Sequence, residues 1–112
     1  MWNKDLIEAV EQTYVLFLNR DNKPIGYYYH SQGGITATVL DKEIISAMAV
    51  KSLSSGVIVA HNHPSGALRP SDADIRIAKE VREALKLFGI QLLDALILTK
   101  SGYYSFAENG DI

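Results

Sequence analysis

Cysteine is absent from the 112-residue sequence. That excludes disulfide staples, iron–sulfur clusters, cysteine-ligated zinc fingers and thiol catalysis. A basic excess is absent too: 11 Lys+Arg stand against 13 Asp+Glu, a formal net charge of −2. Proteins that grip phosphate backbones draw much of their affinity from such an excess, so nucleic acid is not an expected partner of this domain alone. No apolar stretch approaches the roughly 20 residues of a membrane helix. The start, Met1-Trp2-Asn3-Lys4-Asp5, lacks the basic segment and apolar core of a signal peptide. A soluble, cytoplasmic domain is the expectation. Repeats, low-complexity runs and linkers are also missing, so residues 1–112 read as a single domain. A chain this size buries roughly two-thirds of the surface it exposes unfolded and can fold without staples.

The hydrophobic pattern gives the elements. Residues 4–12 read as a short helix with Leu6, Ile7 and Val10 on one face. Tyr14 to Leu18 is a continuous apolar run, read as a strand buried on both faces. Asp21 to Pro24 is a turn, and Ile25 to His30 a second strand antiparallel to the first. Asp41 suits the N-cap of a helix over 42–53, with Ile44, Ile45, Met48, Ala49 and Leu53 inward and Gly56 as its stop. Val57 to Ala60 reads as a core strand. A polar loop covers 62–70. A helix over about 72–88 points Ile75, Ala78, Val81, Leu85 and Phe88 inward, with Gly89 at its end. Strands at 92–98 and 103–106 close the chain. This order predicts an α/β fold, a three-layer α-β-α sandwich around a mixed sheet. Sites in such sheets gather where strands end and helices begin.

The polar residues cluster at one such place. The segment His61-Asn62-His63-Pro64-Ser65-Gly66, followed by Ser71 and Asp74, comes directly after the strand 57–60. Residues two apart on an extended chain point the same way, so His61 and His63 can offer two imidazoles to one ion. Pro64 pushes His63 into the extended region, and Gly66 lets the loop turn back. Asp74, on the first turn of the next helix, can add a hard oxygen ligand. Two histidines and one carboxylate leave a fourth position free, as in catalytic zinc sites. Ser71-x-x-Asp74 also has the spacing of a capping box, and the two roles are compatible.

His61-x-His63, seven residues, Ser71, two residues, Asp74 matches the signature of the JAMM (MPN+) metalloproteases. The string HNHPSG, with Leu92-Leu93-Asp94 and Tyr104-Ser105-Phe106, resembles the RadC branch of that family, over about Thr13 to Gly110. The resemblance implies a cytidine-deaminase-like sandwich. It implies Zn²⁺ held by His61, His63 and Asp74, with Ser71 stabilising an oxyanion, in a hydrolase of peptide or isopeptide bonds in protein substrates. The signature also needs an upstream glutamate as base. Glu8, Glu11 and Glu43 are candidates, and Glu11 stands just before a strand, where the RadC pattern places its acid. Two departures stand out. The helical N-terminal region with a DNA-binding-type motif is not present in these residues, and Ala95 replaces the histidine that commonly follows Leu-Leu-Asp.

Two rival functions follow from the same residues. One is a non-catalytic MPN-type module bound to protein or associated with DNA repair. The other is an Fe(II) oxygenase built on two histidines and a carboxylate, whose usual local order is the reverse of this one. Outside the segment, His30 reads as a strand-end histidine, Tyr27-Tyr28-Tyr29 as edge-strand packing rather than a base-stacking platform, and Gly33-Gly34 as a break rather than a phosphate loop. Ser65 reads as a turn residue. Arg69 is a candidate substrate contact on the metal loop.

Overall fold

The computed structural model describes residues 11–32 and 41–112, and for residues 30–32 the backbone alone. The order is β1 (Glu11–Leu18), β2 (Pro24–Gln32), α1 (Lys42–Lys51), β3 (Gly56–Asn62), α2 (Asp72–Lys86), β4 (Gln91–Thr99) and β5 (Gly102–Ser105). The strands form one five-stranded sheet in the order β2-β1-β3-β4-β5. β3 and β4 are parallel, and the other pairs are antiparallel. α2 supplies the crossover that a parallel pair requires.

Alternate residues build the core. Val15 and Phe17, Val57 and Val59, Leu92, Ala95 and Ile97 form one sheet face, and they cluster with Ile45 and Ala49 of α1 and Ala78, Val81 and Leu85 of α2. Both helices therefore serve the same face. The other face carries Tyr14, Leu16, Ile58, Ala60, Leu96 and Leu98, all half-buried; no described helix lies in a separate layer over it. In the strand at 14–18, Val15 and Phe17 are thus buried on one face, while on the other Leu18 is buried and Tyr14 and Leu16 are half-buried. Tyr14 meets Tyr29 of the edge strand at a ring separation of 4.7 Å, as edge packing of the tyrosine run requires.

Three boundary expectations are corrected. Glu11 and Gln12 belong to β1 and not to a first helix; the rest of that expected helix lies outside the described residues, as do Gly33 and Gly34. Strand pairing wins because Gln12 and Thr13 are fully buried, and the Gln12 N–H donates to the Asn62 side chain. α1 ends at Lys51 with Ser52 as its cap. Leu53 takes φ +58° and is 85% exposed, so it is not a core residue; Ile44 is exposed as well. Gly56 opens β3 instead of stopping α1, and a Cβ there would meet Leu93 Cδ1 at 2.7 Å. α2 ends at Lys86, which leaves Phe88 outside the helix and 57% exposed. Gly89, at φ +71°, makes the turn that lets the Ile90 N–H reach back to the Leu85 carbonyl.

Leu92-Leu93-Asp94 and Tyr104-Ser105-Phe106 are tied to one another. Asp94 Oδ2 accepts from Ser105 Oγ at 2.6 Å, and Oδ1 accepts from the Ala107 N–H at 3.1 Å. Asp94 thereby anchors the last turn of the chain, a structural task away from the histidines. Among the described residues no helix is long and apolar enough to cross a membrane.

Candidate functional site

β3 carries its alternation one step beyond its last residue. The His63 N–H donates to the Leu98 carbonyl of β4 at 3.1 Å, which keeps the chain extended, so His61 and His63 project to the same side with ring centroids 5.1 Å apart. The chain then turns: the Gly66 N–H reaches back to the His63 carbonyl at 2.9 Å, and Gly66 takes φ +86°, a conformation that favours glycine. α2 begins with Ser71 as N-cap. Ser71 Oγ accepts from the Asp74 N–H at 3.0 Å, and Asp74 Oδ2 accepts from the Ser71 N–H at 2.9 Å. This capping box fixes the Asp74 carboxylate against the histidines.

Asp74 spreads its two oxygens between the rings. Oδ1 lies 3.6 Å from His61 Nε2, just beyond hydrogen-bond reach, and Oδ2 lies 3.2 Å from His63 Nε2. One ligand atom from each of the three residues falls within 4.8 Å of the others. Zinc with tetrahedral ligands at about 2.0–2.1 Å sets those ligands roughly 3.3–3.4 Å apart, close to the two His–Asp separations.

Hydrogen bonding tests the fit to a cation further. His63 Nδ1 lies 2.8 Å from the Ala67 carbonyl. A carbonyl only accepts, so Nδ1 carries the hydrogen and Nε2 turns its lone pair, or a second proton, towards Asp74. Two acceptors at 3.2 Å repel unless a positive charge lies between them. His61 is buried, and among the described residues neither of its ring nitrogens has a hydrogen-bond partner. Buried polar atoms without partners are rare and costly. The donor set therefore fits a divalent metal ion.

The electrostatics agree. Burial pushes the Asp74 pKa up, but the two imidazoles and the Ser71 N–H together outweigh it and hold the carboxyl well below the usual range. Hydrogen bonding to Asp74 raises the pKa of His63; burial opposes this, and the Ala67 carbonyl with the charges of Asp74 and Glu11 adds to it. In metal-free protein the raised value at His63 stabilises the fold fully below about pH 6.5, and the contribution disappears as pH rises through the raised value. The depressed value at Asp74 stabilises above about pH 4, and that contribution is lost as pH falls. His63→Ala should therefore lower the melting temperature of metal-free protein more at pH 5.5 than at pH 9. Equal losses at both pH values would disprove the pairing.

Glu11 opens β1 and lines the same cleft, of about 450 Å³, as Asn62, His63, Pro64, Arg69, Ser71 and Asp74. Continuing the β1–β3 register from the pair Thr13 and His61 sets Glu11 opposite His63. The five residues expected from sequence to form the site thus converge on one strand–helix junction. Glu43 does not join them; it lines a separate groove between α1 and α2 with Val50, Leu87 and Phe88. Glu8 lies outside the described residues, as does the side chain of His30. Ser65 Oγ accepts from the Ala67 N–H at 3.4 Å, a turn contact. Two participants carried no sequence signal of ligation: Asn62, which anchors the start of β1, and the main-chain carbonyl of Ala67.

Ser71→Ala removes the acceptor for the Asp74 N–H. It should cost about 1 kcal/mol, a fall of roughly 4–8 °C in melting temperature for a domain of this size. An unchanged melt would show that the capping box contributes nothing to stability.

A family model described as the RadC-like JAB domain matches residues 1–111. The chain is 41% identical over 100 residues to a UPF0758 protein of Flavobacterium johnsoniae, covering 89% of this chain and 44% of that one. It is 44% identical over 101 residues to a UPF0758 protein of Porphyromonas gingivalis, with the same coverages. A UPF0758 protein of Fusobacterium nucleatum is 34% identical over 108 residues, covering 96% of this chain and 47% of that one. The chain spans less than half the length of these curated relatives.

Proposed function

The chain belongs to the RadC-like JAB-domain family, and on that premise we propose that it is a zinc-dependent hydrolase of peptide or isopeptide bonds in protein substrates. The observation that carries this reading is the convergence of His61, His63 and Asp74, two of which, His63 and Asp74, line one cleft with Glu11 and Ser71. His61, His63 and Asp74 would hold the cation. A bound Zn²⁺ would polarise the scissile carbonyl and make water a usable nucleophile near neutral pH.

The remaining chemistry belongs to the chain. Glu11, which lines the same cleft, takes a proton from the attacking water and returns it to the leaving amine. The hydroxyl of Ser71 accepts from the Asp74 N–H and so keeps its own hydrogen to donate to the developing oxyanion. The Ala67 carbonyl holds His63 in the tautomer that presents Nε2. Arg69, the one Lys or Arg among the cleft's described lining residues, would contact substrate. The three-layer, cytidine-deaminase-like architecture belongs to the same proposal, and the apolar character of the sheet face opposite the helices supports it.

The test joins metal analysis with a substrate screen. Protein prepared without chelator should hold close to one zinc per chain, and His61→Ala with His63→Ala should hold none. The zinc-loaded protein should cleave members of a peptide and isopeptide library that Glu11→Gln leaves intact. Zinc uptake without cleavage, together with salt-sensitive retardation of bare DNA in a gel, would favour the non-catalytic binding module instead.

A further inference from the structure

The two histidines are not supported alike. His63 has its second ring nitrogen held by the Ala67 carbonyl. His61 has Nε2 turned towards Asp74, while Nδ1 is buried without a partner among the described residues. When a histidine ligates through Nε2, Nδ1 carries the hydrogen, and metal-binding histidines almost always donate that hydrogen to an acceptor. The strand ladder places one candidate opposite. Thr13 of β1 pairs with His61 of β3, and the neighbouring pair on the same face, Val15 and Val59, points into the core. Thr13 is fully buried, and its Oγ1 likewise lacks a partner among the described residues.

Directly opposed residues of an antiparallel pair stand with Cβ atoms about 4.5–5.5 Å apart, so a rotation about one side-chain bond of Thr13 and a small ring adjustment bring Oγ1 to Nδ1. Of the other unpartnered polar atoms among the described residues, Gln12 Nε2 is a donor and cannot accept from Nδ1–H. Gln12 also alternates onto the opposite sheet face. Ser46 Oγ belongs to α1, which borders a separate groove.

The geometry points to Thr13 as a positioning residue, whose hydroxyl accepts the Nδ1–H of His61 and so fixes the tautomer and ring orientation that present Nε2 to the cation. This assignment rests on the metal-site reading. It concerns how the site is held, and no substrate need be known to test it.

Zinc affinity of the 112-residue chain, measured by competition with a chromophoric chelator, should fall about 10- to 100-fold in Thr13→Val and stay close to wild type in Thr13→Ser. Valine keeps the shape and β propensity of threonine, so the metal-free melting temperature of Thr13→Val should not fall. Thr13→Ala serves as a second probe that cannot overpack. Histidine-labelled ¹⁵N spectra of the zinc-loaded protein should show a protected Nδ1–H signal for His61 in wild type and Thr13→Ser, lost to exchange in Thr13→Val. Wild-type affinity in Thr13→Val with an unchanged His61 signal would overturn the assignment while leaving the metal site standing. Failure of the wild type to take up zinc would overturn both.

Discussion

Glu11→Gln should bind zinc as the wild type does and lose turnover by about 10²–10⁴-fold, the usual contribution of a positioned acid–base group. Glutamine keeps the size of glutamate and its place at the start of β1, so β1 and its pairing with β3 should persist. What it lacks is a carboxylate that can take a proton. Glu11 shares the cleft with Ser71 and Asp74, and its charge helps to raise the His63 pKa, which places it near the ligands. It is not among the three residues whose ligand atoms converge, and so the metal content should survive. The measurements are kcat on a cleaved library member and zinc per chain on the same preparation. Full turnover with normal zinc would remove Glu11 from the mechanism. Loss of both would recast it as a residue that holds the site together.

The site was legible because its chemistry is local. Two histidines two apart on a strand, a proline that keeps the second extended, and a serine–aspartate pair at a helix start need only strand and helix periodicity to be brought to one point. The capping box and the His–Asp cluster share one structure: the Ser71 N–H at the helix start also holds Asp74 Oδ2 beside His63. The sequence does not show to which element Glu11 belongs. Glu8 and Glu11 spaced with Leu6, Ile7 and Val10 look helical, and nothing local says that Gln12 and Thr13 are claimed by a strand 50 residues away.

The end of α1 failed for a related reason. Glycine marks left-handed turns in a sequence, but here Leu53 takes that conformation, and Gly56 is needed for the space beside Leu93. The Ala67 carbonyl is out of reach of any side-chain pattern, since every residue has one. In the sequence Asp94 and Ser105 stand out only as parts of two motifs. Their bond to each other depends on how β4, β5 and the final turn close, and no spacing rule contains that.

His61→Leu should stabilise the zinc-free protein and destabilise the zinc-loaded one relative to wild type. The imidazole is buried with two ring nitrogens that have no hydrogen-bond partner among the described residues, and an unsatisfied buried polar group costs about 1–3 kcal/mol. Leucine is of similar volume, apolar, and continues the core face of Val57 and Val59. Loss of the imidazole's attraction for the Asp74 carboxylate offsets part of this gain, and a net gain of about 1 kcal/mol would raise the zinc-free melting temperature by roughly 4–8 °C. Zinc at a thousand times its dissociation constant would add about 4 kcal/mol to the wild type by mass action, and close to nothing to a variant lacking one of three ligands. The two melting curves should therefore exchange order when zinc is added. Thermal melts with chelator and with excess zinc decide it. If the leucine variant is the less stable protein even with chelator present, the imidazole is satisfied by the fold itself and is not being kept for an ion. If instead the variant retains the full zinc-dependent rise, the cation binds without His61, and the ligand set must be redrawn around His63 and Asp74.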